Sequence, residues 1–133
     1  MQIKEEDENL RYLKKYHFEK TLPKLVKQLK DKKAIMYGDG SIFQLIKKHY
    51  DLSGLNIIGI ADKRYETSSE KVNENGYKIY RLDEIKDSEA DYILVTIKFY
   101  VRILEDLYEQ FKDTRIKIKP LVKKPFLTLL KEL

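Results

Sequence analysis

Short, nearly continuous apolar runs constrain this chain most: Lys33-Ala34-Ile35-Met36-Tyr37, Ile57-Ile58-Gly59-Ile60-Ala61 and Asp91-Tyr92-Ile93-Leu94-Val95-Thr96-Ile97. A strand with one face in water alternates apolar and polar residues, whereas a strand covered on both faces does not alternate. Between the runs lie helical patterns. Ile42, Phe43, Leu45 and Ile46 form an inward arc over Ser41 to Tyr50, and Val101, Leu104, Leu107, Tyr108 and Phe111 form another over 101–111. Strand and helix therefore alternate, which predicts an α/β sandwich with a mainly parallel, doubly wound sheet and right-handed crossovers. Tyr77 to Tyr80 is a further short strand candidate. Arg115-Ile116-Lys117-Ile118 alternates as an edge strand does, so we expect 4–5 strands.

The flanks read differently. Leu10, Leu13 and His17 recur at helical spacing, with His17 expected to pack within that helix. Leu22, Leu25, Val26 and Leu29 follow after an expected break near Thr21-Leu22-Pro23, where Thr21 would cap a second helix and Pro23 would fall in its first turn. Pro120 and Pro125 interrupt the other end, and a short helix is expected from Phe126 to Leu133. We therefore expect an N-terminal helical segment over 1–30, a main domain over 31–119 and a tail helix over 120–133 packed on the same domain.

Composition excludes several chemistries. The 133 residues contain no cysteine, which rules out disulfides and thiolate catalysis and suits a reducing compartment such as the cytoplasm. With only 2 histidines we expect no metal. The charged opening MQIKEEDENLRYLKK has no apolar core after it, so neither a signal peptide nor membrane insertion is expected there. The net charge of +5 favours anionic ligands. Its lysines are scattered rather than gathered into a stripe, which places nucleic acid last among the partners.

The candidate site begins at Gly38-Asp39-Gly40-Ser41, where the first run meets a helix. Gly38 permits a tight turn, and Gly40 allows phosphate oxygens close to the backbone. The N–H groups that open the helix, Ser41 and Ile42 among them, favour an anion. A sharp turn without a ligand fits the same residues. Asp62 ends the second run, where an acid holds a ribose hydroxyl pair in dinucleotide folds; an Asx turn is its alternative role. Lys63 and Arg64 follow and can pair with Asp62, reach a phosphate or face solvent. Thr96 and Lys98 close the third run and line the other wall of the crevice as sugar or phosphate contacts, or as a helix cap and a surface lysine. Against full dinucleotide affinity stand Phe43, in the place of a third glycine, and the charge of Asp39 within the turn. Phe43 is expected to push its helix outward or fill a gap against the N-terminal helices. We see no nucleophile–base pair; Tyr65 and Tyr80, for instance, are followed at the Tyr-x-x-x-Lys spacing by Ser69 and Glu84.

YGDGSIF, LIKKH, LNIIGIADKR, GYKIYRLDEI and DYILVTI together resemble a family of small Rossmann-like domains found with nucleotide-sugar and surface-polysaccharide enzymes. That family's pattern is a glycine turn, "vvGfvD" on the second strand, "G.pVy..del" and a third strand followed by a helix. The resemblance covers about residues 33–111 and implies a Rossmann-like three-layer sandwich, with Gly38, Gly40 and Asp62 as contacts for NAD or a nucleotide sugar. It also implies a separate catalytic partner protein; the apolar faces of the terminal helices are the expected contact surface for that partner or for a homodimer. The other expectation is a protein-interaction or regulatory module with a vestigial nucleotide site. A complete small oxidoreductase or epimerase ranks below both.

Overall fold

The computed structural model describes residues 2–133. The apolar runs become β1 (Lys33–Tyr37), β2 (Asn56–Ala61) and β3 (Tyr92–Val95), and β4 (Lys117–Pro120) completes the sheet. All four strands are parallel, in the order β2-β1-β3-β4. The central strands β1 and β3 are hidden on both faces. Ala34, Met36 and Leu94 enter one core and Ile35, Ile93 and Val95 the other, which explains the unbroken apolarity.

Helices α1 (Gln2–Lys15), α2 (Phe18–Gln28) and α3 (Ser41–His49) contribute Leu13, Phe18, Leu22, Leu25, Phe43 and Ile46 to the first core. Helices α4 (Leu82–Lys86) and α5 (Val101–Phe111) contribute Ile85, Leu107 and Phe111 to the second. The result is the three-layer sandwich expected, with the N-terminal helices ahead of the sheet. α6 (Phe126–Leu130) is a single short stretch without a buried residue, ending before the expected Leu133.

Local detail departs from expectation in several places. The α1–α2 break lies at His17, whose φ of 54° is left-handed and whose side chain is exposed rather than packed in a helix. Thr21 therefore caps nothing: its hydroxyl donates to the Phe18 carbonyl at 3.5 Å within α2. Pro23 falls beyond the first turn, where its missing N–H deprives the helix of a bond. The edge strand is displaced to Lys117–Pro120, an edge position that admits the proline.

Tyr77–Tyr80 reaches the outer edge of β2, where Ile60 donates to Lys78 at 2.8 Å and accepts from Tyr80 at 2.8 Å. It makes only an isolated bridge there, because Ile79 and Lys78 also pair back to Lys71 and Val72. The polar segment before it is tied down by a 3-10 turn at Lys63–Tyr65 and by Asn73, whose side-chain oxygen accepts from the backbone of Asn75 and Tyr77.

From β1 the chain moves one way to β2 and later returns to the other side as β3. The carboxyl ends of β1 and β3 thus flank the topological switch point, where open parallel sheets bind ligands.

Candidate functional site

At the end of β1, the N–H of Gly38 donates to the Ala61 carbonyl at 2.8 Å, extending the ladder by one residue. Its φ is +120°, and a Cβ there would lie 2.5 Å from Thr96 Oγ1 and 3.0 Å from Ile97. The Thr96 hydroxyl donates to the Gly38 carbonyl at 2.6 Å and lies 3.1 Å from that of Tyr37. Gly38 and Thr96 thus lock the two walls of the crevice together.

Gly40 is different in kind. A Cβ on it would meet nothing within 4 Å, and its backbone is extended as the N-cap of α3. Among the described residues no acceptor serves the N–H groups of Gly40, Ser41, Ile42 or Phe43, and the first helical bond is Gln44 to the Gly40 carbonyl at 3.1 Å. These donors and the α3 dipole put positive potential at the start of the helix.

Asp39 turns its carboxylate inward, where it is buried. It accepts from Gln44 at 2.7 Å, Tyr65 at 2.5 Å and Asn73 at 3.1 Å, and pairs with Arg64 at 3.1 Å. Burial pushes the carboxyl pKa up, but the Tyr65 and Asn73 hydrogen bonds and the Arg64 charge outweigh it and hold the group below its ordinary value. Burial and the bond to Asp39 push the Tyr65 hydroxyl up to about 12. The charge inside the turn is therefore compensated without a ligand.

Asp62, half-buried, accepts the N–H of Asp39 at 2.7 Å on one oxygen and that of Arg64 at 3.1 Å on the other. It fastens the glycine turn to β2 and caps the 3-10 turn, and each oxygen keeps a second lone pair. Arg64 donates to the Asp39 carbonyl at 2.8 Å and stacks 4.8 Å over Tyr65, with about half of its side chain exposed at the mouth of the turn. Lys63 is exposed.

Phe43 is wholly buried and faces Tyr77 at 6.2 Å between ring centroids. The ring sits in the core that the N-terminal helices also enter, as one of the two expectations had it, and fastens the segment leading into Tyr77. Burying a phenyl group of this size stabilises by roughly 2–3 kcal/mol.

Residues absent from the sequence reading reach the same region. The side chain of Asn9, buried on α1, donates to Ser41 at 3.3 Å and accepts from Lys98 at 3.4 Å. Tyr12 donates to the Lys98 carbonyl at 3.1 Å. α1 therefore spans the glycine turn and the β3–α5 loop. The signal lies in α1 and the turn after it: Asn9, Tyr12, Leu13 and Tyr16 recur at helical spacing, and an amide among those residues asks for a partner.

At the second helix N-terminus, Glu132 accepts from Tyr100 at 2.9 Å and Val101 at 3.4 Å, and pairs with buried Lys124 at 2.6 Å. The first N–H groups of α5 are thus met by this chain's own carboxylate, whereas those of α3 have no acceptor among the described residues. Two tyrosines have lysine at the Tyr-x-x-x-Lys spacing. Tyr16 and Lys20 straddle the α1–α2 break, and exposed Tyr108 and Lys112 lie on and just after α5, so neither pair joins the glycine turn. Among the described residues no group of three or more His, Asp or Glu is placed to hold a metal, and no helix is long and apolar enough to cross a membrane.

The parallel order, the switch point and the glycine turn define a Rossmann-like α/β protein. A family described as C2185-like, N-terminal, matches residues 30–117, and the chain belongs to that family. No curated protein matches the sequence.

Proposed function

We propose that this protein binds a nucleotide, NAD(H) or a nucleotide sugar, at the carboxyl end of β1, as a subunit or accessory of a sugar-modifying enzyme. The observation that carries this reading is the start of α3: N–H groups with no acceptor among the described residues, open space beside the Gly40 Cα, and Asp62 at the adjacent strand end. Phosphate oxygens would take the N–H groups of Gly40, Ser41 and Ile42, with Lys63, Arg64 and Lys98 as flanking charges. The remaining lone pairs of Asp62 would accept ribose hydroxyls. Gly38, Asp39 and Thr96 would serve the ligand indirectly by holding the turn in shape. The cysteine-free composition suits the cytoplasm, the location assigned by this reading.

Calorimetric titration with NAD, a UDP-sugar and coenzyme A, with amide shifts followed in parallel, tests the proposal. Saturable heat with NAD or the UDP-sugar and shifts at Gly40 to Phe43 are expected. A folded sample giving neither at millimolar ligand would overturn it.

A second reading, an interaction or regulatory module, is favoured by Asn9 on Ser41 and by exposed Phe126, Leu127 and Leu130 on α6. It expects a homodimer or a stable complex with a catalytic partner protein. A strictly monomeric species with no recovered partner counts against it.

A further inference from the structure

A cavity of about 520 Å³ lies between α1, the β3–α5 loop and α6, and apart from Lys98 it uses none of the residues assigned above to the nucleotide. Its volume falls within the range of small-molecule sites, about 300–1,000 Å³. Lys124 and Glu132 lie in its wall at 2.6 Å from one another and neutralise each other. Arg11, Lys15, Lys98 and Lys131 also line it, and among the described ion pairs none engages these four. Glu8 is the other acid in the lining, so a surplus of positive charge faces the space.

Solvated surface lysines alone would not make a site. Here they converge beside aromatic rings. Tyr12 and Tyr16 meet edge to face at 5.2 Å, and Phe99 also lines the cavity although 71% of it is exposed. Lys15 and Lys98 lie over Tyr16 and Tyr12 at 5.5 and 5.4 Å, so cations and ring faces share one wall. A carboxylate carries one negative charge, whereas a phosphate monoester carries roughly two at neutral pH and offers three acceptor oxygens. The basic cluster matches the phosphate, and the exposed ring matches a flat heterocycle, which stacks on an aromatic side chain.

We propose that this cavity binds a nucleoside monophosphate, its phosphate held by Arg11, Lys15, Lys98 and Lys131 and its base laid against Phe99. The proposal does not rest on the glycine turn.

The test titrates AMP, adenosine and inorganic phosphate into the full chain, followed by calorimetry and NMR. Saturable AMP binding is expected, with shifts at Tyr12, Tyr16, Lys98 and Phe99, and with adenosine and phosphate each weaker by roughly tenfold or more. Arg11→Ala with Lys15→Ala is expected to weaken AMP by at least about tenfold, and Phe99→Ala by roughly fivefold or more. All three positions are exposed, and an unchanged amide spectrum elsewhere confirms the fold. The proposal is overturned by an absence of AMP shifts at millimolar ligand, by shifts confined to Gly40 to Phe43, or by affinities unaltered in the variants. Equal binding of phosphate and AMP also overturns it, leaving only a nonspecific basic patch. Shifts confined to the glycine turn would support that site while removing this one, so the two readings fail separately.

Discussion

Gly38 and Gly40 look alike in the sequence, yet different forces hold them in place. At Gly38 a side chain would have to adopt a φ of +120° and displace the Thr96 hydroxyl. Gly38→Ala is therefore expected to cost roughly 2–4 kcal/mol in urea denaturation. Gly40 has a negative φ and open surroundings but caps α3, a position alanine fills less well, so Gly40→Ala should cost no more than about 1 kcal/mol. It should nevertheless weaken nucleotide binding by roughly tenfold, because the new methyl stands where phosphate oxygens approach. Asp39 makes a further prediction. Its folded pKa is depressed, so the stability it supplies is whole above the unfolded value of about 3.9 and is lost as pH falls through the folded value. The gap in thermal midpoint between wild type and Asp39→Asn should be constant near neutrality and narrow below about pH 4. The spacing of Gly38, Gly40 and Asp62 was legible because the ends of neighbouring parallel strands lie side by side. The inward turn of Asp39 was not, since its partners Tyr65 and Asn73 lie 26 and 34 residues away.

At the scale of elements, the sheet was the legible part. Burial on both faces leaves a mark in consecutive residues, and β1, β2 and β3 fall on the apolar runs. The break between the first two helices was not legible, because a histidine in the left-handed region carries no common signal, whereas Thr21 and Pro23 do. Pro23 nevertheless lies inside α2 and is exposed, so Pro23→Ala should restore a helical bond. The expected gain is about 1–2 kcal/mol in urea denaturation, less than the full helix-interior penalty because proline also restricts the unfolded chain. Lys124 and Glu132 couple the tail to α5 with side chains only 2% and 8% exposed. Glu132→Ala strands a buried ammonium and should cost roughly 3 kcal/mol, while Lys124→Met combined with Glu132→Gln should recover part of that loss. Thermal melts of the three proteins give the comparison.

For the whole molecule, a net charge of +5 places both proposed sites in a positive field. Raising salt from about 50 to 500 mM should weaken binding of any phosphorylated ligand severalfold without changing which amides shift; calorimetry at the two salts measures it. Lys98 joins the separate parts of the chain. Its ammonium meets Asn9, its carbonyl receives Tyr12 and Lys124, and it lies two residues after Thr96 in the loop that leaves β3. Asn9, Tyr12 and Lys124 all lie outside the family match at 30–117, while Lys98 lies within it. The segments on either side of the matched region therefore meet at one loop, beside the crevice rather than far from it. Changes in the flanks can alter access to that crevice while leaving the strands untouched, giving the fold an adjustable entrance on a fixed frame.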